Sequence, residues 1–316
     1  KTPSSKPGTA PNWQDVFGDQ MVRLCNRDNR LVGITAAMPS GTGLKSLRDE
    51  MPDRYFDVGI AEEHAVIFAA GMATMNYRPV VAIYSTFLQR AYDCIIHDVA
   101  LQDLPVIFCM DRAGLSANDG PTHHGLFDIS YLRCVPNIIA MAPRNEDQLA
   151  DMMFTASRQT HPVFIRYPRG AAEGVAIKEE PDLLEIGQAE VVKNFADNGK
   201  RKVVFFGLGP MFSVAEAAAN ELGEDFDCAL VDPRFESSVI NVERKLKNMR
   251  LLPPEIWDAA LWKAQFTFQT GRLISKLSYL TESDRLSPLD VVPDLRSFLG
   301  TQKPHEELGL PTITAK

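Results

Sequence analysis

The chain is short of cysteine, of tryptophan and of long apolar runs. Its 316 residues include 5 Cys and 3 Trp. Cys25, Cys94, Cys109, Cys134 and Cys228 stand singly. No two form a Cys-x-x-Cys pair and an odd count closes no complete disulfide set, which excludes a disulfide scaffold and a zinc ribbon. Buried free thiols in a reducing compartment are the expectation. No apolar stretch reaches the ~18 residues that a membrane helix needs. The first ten residues lack the apolar core of a signal peptide. Positive charge is also short: 33 Lys+Arg against 41 Asp+Glu leave a net charge of −8. That balance gives nucleic acid no general footing. No internal repeat is evident.

What is present is ordinary globular material, 45% hydrophobic and 23% charged, which argues against disorder. The length suggests two domains. Residues 1–11, rich in Pro, Ser, Gly and Lys, read as a flexible leader or linker. Asn12 can cap a helix in which Trp13, Val16, Phe17, Met21 and Leu24 recur at helical spacing. Strands are expected at 31–35, 55–58, 79–84, 106–110, 138–142 and 163–167, with helices at 62–75, 87–101 and 146–157 between them. Strands that are nearly all apolar, separated by helices, mean a parallel sheet covered on both faces.

Composition shifts to Gly, Ala, Glu and Pro over residues 170–181, which suits an interdomain linker. A second β-α-β start follows, with strands at 189–192, 202–206 and 227–231 and a helix at 212–222. The expected fold class is therefore α/β, with two doubly wound parallel-sheet units spanning 12–180 and 181–316. After Phe235 no strand is readable; 255–280 suits one or two helices, and 287–316 reads as an irregular tail.

Four stretches carry candidate chemistry, and all four sit at the carboxyl ends of expected strands, where open α/β sheets bind ligands. The loop 111–125 holds Arg112, Asp119, His123 and His124, a cation beside a carboxylate and imidazoles. Such a set suits an anionic substrate that undergoes proton transfers. Ile60-Ala-Glu-Glu-His64 lies at a strand-to-helix junction, where an acid either complements the helix dipole or bonds a ligand nitrogen. Tyr84-Ser-Thr-Phe-Leu-Gln-Arg-Ala-Tyr-Asp93 offers an aromatic surface and an arginine beyond a strand. Arg166-Tyr-Pro-Arg-Gly170 offers two arginines suited to a phosphate or carboxylate. Core aromatics and surface charges are the competing explanation for each stretch taken alone.

These stretches, with Tyr55-Phe-Asp-Val-Gly-Ile-Ala-Glu-Glu-His-Ala65, Asp111-Arg-Ala-Gly114 and Asp119-Gly-Pro-Thr-His123, resemble the 1-deoxy-D-xylulose-5-phosphate synthases. Those are thiamine-diphosphate enzymes of the transketolase group. The likeness is dense over residues 13–170 and looser to 235. It implies a pyrimidine-binding domain followed by a transketolase carboxyl-terminal-like domain. It also implies condensation of pyruvate with glyceraldehyde 3-phosphate, with loss of carbon dioxide, on thiamine diphosphate and Mg²⁺.

By resemblance, Glu62 bonds the aminopyrimidine ring nitrogen and Phe87 stacks on the ring. Arg112 and Arg169 hold the acceptor's phosphate. Tyr84 and Arg90 lie near cofactor and substrate, and Asp119 and His123 form a substrate-side pair, with His123 in proton transfer. No metal ligand is assigned within the chain.

The sequence departs from the family in four places. Glu63 stands where the family usually has Gln, and Ser116-Ala-Asn118 is unusual. The Gly-Asp-Gly…Asn motif that holds Mg²⁺ and diphosphate in the family does not occur, so a further domain or a partner subunit, in a homo- or hetero-oligomer, is expected to supply it. The second unit opens with Val203-Val-Phe-Phe-Gly-Leu-Gly209 and Val231-Asp-Pro-Arg-Phe235, then leaves the family pattern. A cytoplasmic or plastid-stromal setting is expected. Two other readings stand beside the synthase: a non-catalytic paralogue or assembly subunit, and the beta subunit of a split transketolase or 2-oxo acid dehydrogenase. The Asp-Gly-Pro-Thr-His and Tyr-Pro-Arg-Gly segments fit the synthase better.

Overall fold

Apolar periodicity passes directly into regular structure. A computed structural model describes residues 10–116 and 119–235. The expectations for residues 1–9, for positions 117 and 118 and for everything after Phe235 lie outside the described residues. In chain order the first elements are α1 (Trp13–Arg27), β1 (Leu31–Thr35), α2 (Lys45–Glu50), β2 (Tyr55–Asp57), α3 (Glu62–Thr74) and β3 (Arg78–Tyr84). Next come α4 (Ser85–Leu88), α5 (Tyr92–Cys94), β4 (Ile107–Asp111), α6 (Asp128–Leu132), β5 (Ile139–Met141), α7 (Glu146–Ser157) and β6 (Val163–Arg166). The last are β7 (Glu190–Lys193), β8 (Lys202–Phe206), α8 (Met211–Leu222) and β9 (Asp227–Asp232).

The first six strands form one sheet in the order β2-β1-β3-β4-β6-β5. All of its neighbouring strands run parallel. Strand alternation gives the sheet two apolar faces. Val80, Ala82, Ile107, Cys109, Val163 and Ile165 face the layer of α1, α2 and α7, where Trp13, Phe17, Leu47 and Met152 are buried. Val81, Ile83, Phe108, Met110 and Phe164 face the layer of α3, α6 and the helical segment Ile95–Ala100, where Ala65, Ala69, Ile95 and Leu132 are buried. Phe108 and Phe164 stack 4.4 Å apart at 9° between neighbouring strands.

Three local expectations are corrected. Asn12 stands at the amino end of α1 but accepts no helix amide. Its Nδ2 instead donates to Asp15 Oδ2 at 3.0 Å. The single helix expected over 87–101 is broken. After α4 come a 3₁₀ turn (Gln89–Ala91), α5 and a wide π segment (Ile95–Ala100). Gln89 Nε2 donates back to the Thr86 carbonyl at 2.9 Å, a side-chain bond that competes with helix continuation. Arg166, grouped with Arg169 by sequence, points to a different place, as described below.

Over residues 171–186 no regular element forms, yet the stretch is anchored. Lys178 Nζ donates to Asp151 at 2.8 Å, and Leu184 N donates to Thr155 Oγ1 at 2.9 Å. The described chain divides into two compact units. The first holds residues 10–190, 208–211 and 232–235, and the second holds 191–207 and 212–231. In the second, strands pair in the order β7-β9-β8, with β8 and β9 parallel. Ala219 and Leu222 of α8 pack with Cys228, Val203 and Phe205. This is the β-α-β unit that the sequence suggests.

Candidate active site

Parallel strands direct all their carboxyl ends to one edge, and the candidate residues gather there. Tyr84 ends β3 and Asp111 ends β4, paired in register. Arg169 follows β6 by three residues and Glu62 follows β2 by five.

Glu62 is the first residue of α3 and only 2% exposed. An acid in a first helical turn faces free backbone N–H groups and the positive end of the helix. Both of its carboxylate oxygens also lie 3.1 Å from Arg90 Nη1. Arg90 comes from the 3₁₀ turn after α4 and leaves about half of its side chain in solvent. Its guanidinium carbon in turn lies 5.4 Å from the centre of the Phe87 ring. Glu63, the departure from the family pattern, is exposed.

Phe87 and Tyr84 stack at 5.8 Å and 20°, forming an aromatic shelf. His123 closes one side, 5.2 Å from the Phe87 ring and 6.2 Å from that of Tyr84. The Arg112 guanidinium sits 3.7 Å from the Tyr84 ring centre on the same shelf. Burial pushes the Tyr84 hydroxyl above its ordinary value, against the pull of Arg112. Gly41 makes the close approach possible: a Cβ there would lie 1.7 Å from Tyr84 Oη.

Arg112 adopts a left-handed backbone at φ 61° and is 6% exposed. Few non-glycine residues take that conformation, and tertiary contacts must hold it. Its Nη1 donates to the Gly41 carbonyl at 2.6 Å and lies 3.0 Å from Asp111 Oδ1. Its Nε reaches Asp119 Oδ2 at 3.4 Å. The other Asp119 oxygen meets Arg169 Nη1 at 2.5 Å, and Ser116 Oγ donates to Asp119 at 3.0 Å. Burial raises the Asp119 carboxyl, but Ser116, Arg169 and Arg112 outweigh it and leave a net lowering. Asp111 is fully buried, and burial pushes its carboxyl up to about 7 against Arg112.

The loop is closed at its base by Gly114 and Gly125, which exchange backbone bonds of 2.9 and 2.8 Å. His124 turns inward and accepts from Ser116 N at 2.9 Å, so it braces the loop.

The eight candidates thus form one continuous run: Glu62, Arg90, Phe87, Tyr84 and Arg112, then Asp119 and Arg169, with His123 against the shelf. Arg166 is not among them. It shares strand parity with Phe164, so it points to the α6 layer and bonds buried Asp128 at 3.3 Å. Sequence reasoning quoted Ser85, Asp111 and Ser116 within its stretches without giving them a role, and passed over Gly41 and Asp128. Strand parity alone could have separated Arg166 from Arg169; nothing local marks the others.

An aminopyrimidine ring needs an aromatic face and a carboxylate at its edge. Glu62 and the Tyr84–Phe87 shelf, joined by Arg90, supply both, so these residues fit that half of thiamine diphosphate. A diphosphate with Mg²⁺ needs several oxygen ligands. Among the described residues no group of three or more His, Cys, Asp or Glu is placed to hold a metal.

The chain is similar to several known proteins. The 1-deoxy-D-xylulose-5-phosphate synthase of Methylacidiphilum infernorum is 57% identical over 235 residues, covering 74% of this chain and 36% of that protein. That of Nitratidesulfovibrio vulgaris is 42% identical over 310 residues, covering 94% of this chain and 46% of that protein. The chain therefore spans less than half the length of these curated relatives. A split-gene transketolase solved as an inactive β4 tetramer superposes with a TM-score of 0.60 at 24% identity, over 73% of this chain and 76% of that one. That likeness shows the fold. Residues 9–174 match the family described as transketolase, pyrimidine binding domain, and the chain belongs to that family.

Proposed function

We propose that this chain provides the pyrimidine-binding part of a 1-deoxy-D-xylulose-5-phosphate synthase, a transketolase-type transferase of isoprenoid precursor synthesis. Its reaction condenses pyruvate with glyceraldehyde 3-phosphate and releases carbon dioxide. The observation that carries the reading is buried Glu62 on Arg90, beside an aromatic shelf that ends in two arginines. The names and identities of the relatives support it.

Thiamine diphosphate, when bound, supplies a nucleophilic carbon that can hold the electron pair left by decarboxylation. The chain's own residues do the rest. Glu62 holds a proton at the ring-nitrogen edge through a buried charge-assisted bond. Phe87 and Tyr84 receive the ring face and keep water from it. Arg112 and Arg169 offer paired guanidiniums to the acceptor's phosphate, and Asp119 between them sets their spacing. His123, against the shelf, moves a proton at the substrate oxygens. The diphosphate and Mg²⁺ belong to a further domain or a partner chain, so the working unit is an oligomer or a longer polypeptide. A cytoplasmic setting suits such a unit.

The test is Glu62→Gln in the complete enzyme, or in this chain mixed with a separately expressed diphosphate-domain protein. Carbon dioxide release should fall by at least ~100-fold, the scale of general acid–base catalysis. Near-normal turnover would remove the assignment. Assembly of the unsubstituted chain with its partner, without any carbon dioxide release, would support the non-catalytic paralogue instead.

A further inference from the structure

We propose that Ser85, Asp128 and Arg166 are positioning residues, which pin the foot of the loop 111–125 to the aromatic shelf and so set His123 against Phe87.

The three lie on different elements. Ser85 opens α4, Asp128 opens α6 and Arg166 ends β6. Ser85 and Asp128 are fully buried. Ser85 Oγ donates to the Asp128 carboxylate, 2.6 Å from one oxygen and 2.7 Å from the other. Arg166 Nε donates to Asp128 Oδ2 at 3.3 Å, and its Nη2 reaches the Gly125 carbonyl at 3.4 Å. Gly125 is packed against the same serine: a Cβ there would lie 2.1 Å from Ser85 Oγ and 2.7 Å from the Arg112 carbonyl. One residue beyond Ser85, Thr86 Oγ1 donates to the Thr122 carbonyl at 3.2 Å.

A buried ion pair is a poor way to gain stability, since apolar residues of similar volume do as well or better. Its worth at this place is geometric. Ser85 lies between Tyr84 and Phe87, and Asp128 lies three residues past the loop's closing glycine. The bond between them therefore joins the two segments that carry the shelf and His123. Burial pushes the Asp128 carboxyl upward while Arg166 and Ser85 pull it down. Removing either partner leaves a buried acceptor or charge short of its bonds, and the local structure must move to recover them.

The inference rests on the proposed function only for its kinetic consequence. The structural part is read by hydrogen exchange on the full chain. Ser85→Ala should speed exchange of amides in residues 113–125 by ~10-fold or more and leave α3 unchanged, because local openings are independent of global ones. Asp128→Asn should do the same, and the double variant should match the larger single effect, as expected of one coupled unit. Asp151→Asn, which breaks a bond on the opposite layer, should leave the loop alone. In the complete enzyme Ser85→Ala should lower kcat by ~10-fold or more and leave the KM for pyruvate within about twofold, as displaced catalytic groups do.

Unchanged loop exchange in Ser85→Ala, or exchange that rises equally throughout, would overturn the node. Loosened exchange with normal kcat would overturn its link to His123. Failure of the Glu62→Gln test would leave the exchange result standing, so the two claims fail separately.

Discussion

The Arg112 guanidinium lies 3.7 Å from the centre of the Tyr84 ring, with its Nη1 on the Gly41 carbonyl at 2.6 Å. One buried cation is thus held by a ring, a carbonyl and two carboxylates, from Asp111 and Asp119. The fixed fork of donors matters here, because a planar guanidinium can stack and donate sideways at once.

Arg112→Lys cannot keep that arrangement. The ammonium has no planar face for Tyr84 and no second nitrogen for Asp119. The KM for a phosphorylated acceptor should rise by ~10-fold or more, the size of a lost charge-assisted contact. The KM for a non-phosphorylated aldehyde should change little. Steady-state kinetics with the two acceptors, in the complete enzyme, checks this.

Gly41→Ala places a methyl 1.7 Å from Tyr84 Oη and 2.7 Å from Tyr84 Cζ. The ring must tilt, or the loop must retreat. Overpacking of this kind costs about 1–3 kcal/mol. The urea midpoint should fall, and Tyr84→Leu in the same chain should restore most of the loss. An unaltered midpoint in the single variant would show that the loop yields freely.

Asp111 gives stability a pH dependence of the less common sign. Burial raises its carboxyl from 3.8 to about 7. Between those values the folded chain holds a proton that the unfolded chain has released. Stability from this group is therefore fully present below pH 4 and is lost as pH rises to 7, by up to roughly 4 kcal/mol. Asp111→Asn removes the titration. Urea unfolding from pH 4 to 8 should show the stability of the parent chain, relative to the Asn variant, falling across that window. Taking the difference cancels the slopes of Asp119, Asp128 and the remaining carboxyls.

Phe164→Ala opens a cavity under β6, between β4 and the edge strand β5. The ring stacks on Phe108 across neighbouring strands and is wholly buried. A loss of about 3–5 kcal/mol is expected for a large aromatic truncated in a core. Denaturant titration of the first unit's unfolding reads it directly.

Much of the fold is legible in the sequence. The strands expected at 31–35 and 202–206 and the helix at 146–157 coincide with β1, β8 and α7. The signal of β1 is strong because burial on both faces demands an unbroken apolar strand, and that of α7 because its buried residues recur at helical spacing. The short helices α2 and α6 were missed. Lys45–Glu50 and Asp128–Leu132 are too short for a periodic pattern to rise above chance. The break after α4 was missed because it depends on where Gln89 turns its amide.

In the site, residue types at strand ends were readable, and all eight candidates lie in one run of contacts. Their supports were not readable. Ser85 and Asp128 are 43 positions apart, and Gly41 and Arg112 are 71 apart. Neither pair has a local signature.

The amino-acid order by itself determined the α/β class, the parallel sheet and the edge at which the candidate side chains collect. Those follow from period-two and helical patterns, which act over a few residues. Only the tertiary structure decided that β1 lies between β2 and β3, that Arg166 turns to Asp128 while Arg169 meets Asp119, and that Glu62 rests on Arg90. Such contacts depend on strand order and on which residues distant in the chain share a buried space, and no local pattern encodes either.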